Sequence, residues 1–344
     1  MAGVGASDRP TTVVIQTAFL GDVVLTTPLL AALAERHGPV DVVTTPAAAP
    51  LLETHPAVGT IIRYDKRGAD RGLAGLWRVG RSLRPRNYLR AVLPHRSWRS
   101  AGLAMLAGAT ERTGFTDSPA AATYTRRIHR SATGHEVERL LALAGPGAAA
   151  PPVHLELTAD DRAAADAWLA GRGVPPGFVA LAPGSIWGTK RWPGYAALAA
   201  ELDAPIVVVG GPEDASLAET VAAAAPGRGA NAAGALPLRV SAALIARAAV
   251  LVTNDSVPLH LATAVGTPVV ALFGPTVPSF GFGPRGPTDR VVEHPSLSCR
   301  PCSAHGPQVC PLEHHRCMRE LSVASVVEAV AACMEAHRAI RTRH

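Results

Sequence analysis

Residues 250–276 read VLVTNDSVPLHLATAVGTPVVALFGPT. A β-branched run from Val250 to Thr253 ends in Asn-Asp-Ser. Pro258 then suits the first turn of a helix, because its missing N–H is not needed there. An apolar stretch from Leu259 to Val265 follows, Gly266 stops it, and a second β-branched run occupies Val269 to Phe273. Strand, loop, helix and strand within 27 residues predict a parallel pair of strands joined by a helical crossover.

The same alternation extends in both directions. In the second half we read strands at Val179 to Ala182 and Ile206 to Val209, with helices at about Tyr195 to Leu202, Ala215 to Ala225 and Val240 to Arg247. In the first half, strands are expected at Val13 to Thr17, Val40 to Thr44, Ile61 to Tyr64 and Arg90 to Leu93, with a helix from about Thr27 to Arg36. Proline and glycine crowd the middle, at Gly145 to Pro152 and again at Gly171 to Gly177. The expected fold is α/β: two doubly wound parallel-sheet domains. Their expected bounds are 1–150 and 177–325, with a linker region at 151–176 and a C-terminal helix and tail at 326–344.

Composition removes several classes of protein. At 344 residues, 48% hydrophobic and 17% charged, the chain is neither a disulfide-stapled miniature nor a disordered polyelectrolyte. Met1 to Pro10 holds no apolar leader and no uninterrupted run of about 20 apolar residues occurs, so a cytoplasmic, non-spanning protein is expected. Net charge is +6, and between Arg63 and Arg99 eleven Lys or Arg face two acids, Asp65 and Asp70. Such a segment attracts phosphate-bearing partners, although a solvated arginine-rich face explains it as well. Aromatic residues are only 4% of the chain, which disfavours single-strand nucleic-acid stacking platforms.

Ligands of doubly wound sheets bind beyond the carboxyl ends of the strands, so the loops there are where chemistry is expected. In Phe19-Leu20-Gly21-Asp22, the carboxylate of Asp22 could act as a general base or merely complement a helix N-terminus. The run from Ala182 to Pro193 (APGSIWGTKRWP) offers hydroxyls, backbone donors and Lys190 to a phosphate, without P-loop spacing. Glu213, in Gly210-Gly211-Pro212-Glu213-Asp214, could take ribose hydroxyls or cap the next helix. Asp255, Ser256 and His260 gather at the start of the helix opened by Pro258, where backbone donors also point outward. Finally Cys299, Cys302, Cys310 and Cys317 lie within 19 residues, with His305, His314 and His315 beside them. They could hold a structural zinc ion or pack a proline-rich loop as reduced thiols.

Taken in order, FLGDVVLTTPLL, APGSIWGTKRWP, VVVGGPED, VTNDSVPLHLATAVGTPVVALFGPT and CRPC…CPLEHHRCM span residues 19–318. In this the chain resembles glycosyltransferase family 9, the bacterial lipopolysaccharide heptosyltransferases, and within it the heptosyltransferase II-like group. The resemblance implies the GT-B fold, two facing Rossmann-like domains with acceptor bound by the first and nucleotide sugar by the second. It implies inverting transfer of L-glycero-D-manno-heptose from ADP-heptose to the lipopolysaccharide inner core, with no cofactor required. Asp22 matches the family's general base, Ser185 and Lys190 its phosphate contacts, Glu213 its ribose-binding acid, and Asp255, Ser256 and His260 its donor loop. The acceptor is then expected within Arg63 to Arg99, and the enzyme at the inner-leaflet surface, peripheral to the membrane.

Val257 departs from the pattern, since many relatives have glycine there, so this backbone must adopt an ordinary φ. Other readings are another GT-B nucleotide-sugar transferase or epimerase, and a zinc-containing nucleic-acid binder. The second lacks any recognisable nucleic-acid module, and no nucleic-acid partner is expected. A dinucleotide-dependent dehydrogenase is disfavoured because no GxGxxG follows the first strand.

Overall fold

The computed structural model describes residues 10–341. The N-terminal stretch expected to lack an apolar leader, apart from Pro10, and the last three residues of the tail lie outside the described residues. The chain forms two compact units that divide between Glu156 and Leu157. The first contains β1 (Thr12–Ile15), α1 (Leu20–His37), β2 (Val40–Thr44), β3 (Val58–Arg63), α2 (Gly72–Leu83), β4 (Arg90–Leu93), α3 (Trp98–Leu106), β5 (Glu111–Phe115), β6 (Arg126–Ile128) and α4 (Glu136–Leu141). The second contains α5 (Ala159–Ala170), β7 (Val179–Ala182), α6 (Tyr195–Glu201), β8 (Ile206–Val208), α7 (Ala215–Ala223), β9 (Gly229–Asn231), α8 (Leu238–Ile245), β10 (Val250–Asn254), α9 (Val257–Val265), β11 (Val269–Phe273), β12 (Arg290–Glu293), α10 (Arg316–Arg319) and α11 (Val323–Arg341).

Each unit holds one six-stranded sheet, ordered β3-β2-β1-β4-β5-β6 in the first and β12-β11-β10-β7-β8-β9 in the second. All pairings between neighbouring strands are parallel. Both orders are the doubly wound one, and they place a topological switch point between β1 and β4 and between β7 and β10. The central strands are wholly buried, as TVVI in β1 and VVALF in β11 show, because helices cover both faces of a parallel sheet. The outer strands differ. ERTGF, RRI, GAN and RVVE form β5, β6, β9 and β12, and their partly exposed polar residues hide the strand signal that the sequence reading relied on.

The first helix begins seven residues earlier than expected. Pro28 therefore sits inside α1 and removes the N–H that would bond to the Val24 carbonyl. The Thr27 hydroxyl donates to that carbonyl instead, at 2.8 Å. The added length brings Asp22 into the first turn of α1.

In the second unit, Asn254 fixes the loop after β7 to the end of β10. Its amide nitrogen donates to the carbonyls of Pro183 (2.9 Å) and Gly184 (3.3 Å). Its amide oxygen accepts from the Trp192 N–H and the Tyr195 hydroxyl, both at 3.3 Å. All four hydrogen-bonding positions of a fully buried amide are used. Asn254→Ala, by stranding these groups, is expected to destabilise the protein by about 2–3 kcal/mol in urea denaturation. An effect near zero would show that the amide does not hold the loop.

Candidate active site

Asp22 occupies the third position of α1, the helix that follows β1 at the switch point of the first sheet. Its Oδ2 accepts from the Phe19 N–H at 3.1 Å, so the capping role open to it from sequence is present. Thr26 orders the same turn: its hydroxyl donates to the Asp22 carbonyl at 2.6 Å and accepts from the Gln16 amide at 2.9 Å. Burial dominates the electrostatics of the carboxyl and raises it to about 6, against the lowering effect of the Phe19 bond. Glu136 raises it further and Arg130 opposes that. These two side chains are themselves paired, and Arg139 donates to the same Glu136 carboxylate at 3.2 Å. A carboxyl so placed is suited to accept a proton near neutral pH.

The loops of the second sheet meet at its own switch point. Lys190, 8% exposed, extends from the turn after β7 and donates to Asp255 Oδ2 at 2.6 Å and to the Asp255 carbonyl at 3.2 Å. The Thr276 hydroxyl, from the loop after β11, donates to the same carboxylate oxygen at 2.7 Å. Asp255 is thus held by groups from two other loops. Ser256 precedes α9 with an extended backbone, and its hydroxyl lies 3.4 Å from that of Thr253 without capping the helix, so the first-turn amides lack a side-chain cap. Val257 begins α9 and is not among the residues of positive φ, as its β-branched side chain requires. His260 is buried, its ring edge-on to Phe282 at 6.4 Å.

Ser185 shares the connection after β7 with Lys190, and Glu213 lies in the turn after β8. The Ser185 hydroxyl accepts from the Trp187 N–H at 3.2 Å, and its carbonyl from Arg191 Nε at 2.9 Å. Glu213 is exposed in the short turn Pro212–Asp214 that follows β8. Beside it, Asp214 accepts from the Gly211 N–H at 3.2 Å, and a Cβ on Gly184 would stand 2.2 Å from the Asp214 carboxylate. Glycine at 184 lets these two loops approach.

The cysteine-bearing segment lies against the Lys190 loop. The Gly188 N–H donates to Gln308 Oε1 at 3.1 Å, the Gln308 amide donates to the Ile186 carbonyl at 2.9 Å, and His315 Nε2 donates to the Thr189 carbonyl at 2.7 Å. Trp187 and His305 stack with ring centroids 6.0 Å apart. Cys299, Cys302, Cys310 and Cys317 are free thiols, with His314 Nε2 4.0 Å from Cys299 Sγ. Burial pushes the Cys317 thiol to about 11, with the other three cysteines adding to the effect. No three His, Cys, Asp or Glu side chains among the described residues are grouped as a metal ion would need. The segment's visible work is to buttress the loop that carries Ser185 and Lys190.

Sequence reasoning passed over Asn254 and Thr276, although both lie in stretches it quoted. Their only local signal is a polar residue at the end of a buried strand. Arg130 and Glu136 had no signal near Asp22 in the chain.

Two doubly wound units, each built on one six-stranded parallel sheet, have the architecture of the GT-B glycosyltransferases. The model of glycosyltransferase family 9 (heptosyltransferase) matches residues 76–312, and the chain belongs to that family. The lipopolysaccharide heptosyltransferase 2 of Salmonella typhimurium is 29% identical over 292 residues, covering 78% of this chain and 83% of that protein. Its Escherichia coli counterpart is 28% identical with the same coverage. Among solved structures, a family 9 glycosyltransferase from Veillonella parvula superposes with a TM-score of 0.83 at 25% identity, covering 94% of this chain and 96% of that one. The E. coli ADP-heptose lipopolysaccharide heptosyltransferase II superposes with a TM-score of 0.78 at 24% identity, covering 95% and 99%.

The raised carboxyl has a stability cost whose sign is fixed. A folded-state value of about 6 against an ordinary 3.8 means that Asp22 opposes folding fully above pH 6 and not at all below about pH 4. Asp22→Asn is therefore expected to stabilise the protein by about 2–3 kcal/mol at pH 8, with the gain vanishing toward pH 4. Urea denaturation at both pH values checks this. Arg130→Ala, which removes the opposing positive charge, is expected to move the acidic limb of the pH–rate profile upward.

Proposed function

We propose that this family 9 enzyme transfers L-glycero-D-manno-heptose from ADP-heptose to the lipopolysaccharide inner core, with inversion at the anomeric carbon. The placement of Asp22 carries the reading: a carboxyl at a strand's carboxyl edge, raised into the range where it takes protons near neutrality. The names of its relatives, lipopolysaccharide heptosyltransferase 2, supply the sugar and acceptor class.

In this mechanism Asp22 accepts the proton of the acceptor hydroxyl while that oxygen attacks the anomeric carbon from the face opposite ADP. The C–O bond to the diphosphate breaks, and its electrons leave with ADP. Lys190, the Ser185 hydroxyl and the uncapped amides of α9 neutralise the departing charge, and Glu213 takes the ribose hydroxyls. Asp255 acts as a positioning residue, since its carboxylate is engaged by Lys190 and Thr276 and directs the ammonium. Ser256 and His260 complete the donor loop. No cofactor enters the scheme, and the cysteine segment, whether as thiols or around zinc, serves only to support the Lys190 loop.

The acceptor of this reading is anionic and membrane-anchored, which places the enzyme in the cytoplasm, peripheral to the inner leaflet, without a nucleic-acid partner. Among the described residues no helix is long and apolar enough to cross a membrane.

Asp22→Asn is expected to lower kcat by about 10²–10⁴ while leaving affinity for ADP within about twofold of the parent. Equal losses in turnover and ADP binding would remove Asp22 from the role of base. Transfer of glucose from UDP-glucose in preference to heptose from ADP-heptose would overturn the donor assignment.

A further inference from the structure

The basic segment is not one uniform charged face. Arg63, Arg78, Arg86, Arg90 and Arg96 are each paired with an acid. Arg67, Arg71, Arg81, Arg84 and Arg99 are exposed and make no ion pair among the described residues. Set between these arginines are exposed apolar side chains: Leu73 at 83%, Trp77 at 55%, Trp98 at 58% and Met105 at 48%.

Two glycine contacts show how these residues come together. A Cβ on Gly80 would stand 2.5 Å from Leu106, and one on Gly102 would stand 3.2 Å from Leu76. Both pairs advance by four residues, so α2 and α3 run parallel and nearly touch along this seam. The register sets Leu73 level with Arg99, next to Trp98, at the amino ends of the two helices. Those ends follow β3 and β4, so they lie at the carboxyl edge of the sheet, the edge from which the Asp22 loop also emerges. Trp77 continues the ridge one turn along α2, with the Arg81 guanidinium 4.8 Å from its ring centroid.

We propose that this α2/α3 face docks on an anionic lipid bilayer, with Leu73, Trp77 and Trp98 entering the headgroup layer and the five unpaired arginines meeting lipid phosphates. Charge complementarity selects the occupant. Tryptophan places an apolar ring and a polar N–H at the membrane interface, arginine snorkels from beside it, and an anionic leaflet attracts the surrounding cations. Arginines alone would also suit nucleic acid, but a ridge that includes Leu73 and Met105 gains nothing from a phosphate backbone. The position at the Asp22 edge adds a consequence that rests on the proposed function: an acceptor anchored in the same leaflet presents its sugar to the base without leaving the membrane.

The full chain should be sedimented with vesicles of phosphatidylethanolamine and phosphatidylglycerol, and with phosphatidylcholine alone, at low salt and at high salt. Binding to the anionic vesicles only, weakened at least tenfold by salt, is expected. The double variant Leu73→Gln/Trp77→Gln should lose at least tenfold in partitioning, and Arg81→Glu/Arg84→Glu should do the same. ADP titration of each variant, read by calorimetry, tests the donor site separately, so a failed donor assignment would leave the vesicle result standing. Parent-like partitioning of both variants would overturn the proposal. So would absence of vesicle binding by the parent, whether accompanied by self-association in light scattering or by retention of RNA on a filter.

Discussion

A lysine ammonium held 2.6 Å from a buried carboxylate ties together two loops that lie 65 residues apart in the chain. Desolvating both charges is expensive, and the attraction between them offsets that cost only while each keeps its hydrogen bonds. Asp255 meets the condition through Thr276 and Lys190, and Lys190 through the carboxylate and carbonyl of Asp255. Asn254, one residue earlier, satisfies the backbone of the Lys190 loop with its single amide. From the far side, Gln308 and His315 hold the same loop in place. A cation is therefore kept in a preorganised position beside the amino end of α9, where an anion gains most from it.

The first unit makes the opposite choice. The Asp22 carboxylate accepts from the Phe19 N–H, and Arg130, whose charge favours the ionised form, is itself paired with Glu136. The charge of Asp22 is therefore poorly compensated. That is unfavourable for folding and useful for chemistry, because a carboxylate that is fully paired would be too weak a base. Strain of this kind is expected where function, not stability, has set the residue.

How much of this could be read beforehand depended on where the information lies in the chain. The buried central strands and the loops after them were legible, since β-branched runs and Pro/Gly boundaries are local signals. β4, β7 and β11 fall where expected; Lys190 and Asp255 lie in the connections that follow buried strands, and Asp22 and His260 in the first turns of the helices after them. The outer strands were not legible, because GAN and RRI carry neither a buried face nor alternation. The expected start of α1 at about Thr27 would put Pro28 in the first turn, whereas Pro28 sits in the helix interior, with the Thr27 hydroxyl bonded to the Val24 carbonyl. The partners that tune the site were hidden for a different reason. Arg130 acts on Asp22 through its charge, and Thr276 on Asp255 through a hydrogen bond, between residues that only the folded chain brings near each other.

In the proposed reaction the loops of the second sheet recognise an ADP sugar, with Lys190 and the amino end of α9 facing its diphosphate. Calorimetric titration of the intact protein with ADP-heptose, against UDP-glucose and GDP-mannose as controls, tests it most directly. Saturable binding of ADP-heptose at least tenfold tighter than either control is the predicted result, and equal or tighter binding of UDP-glucose or GDP-mannose would contradict it.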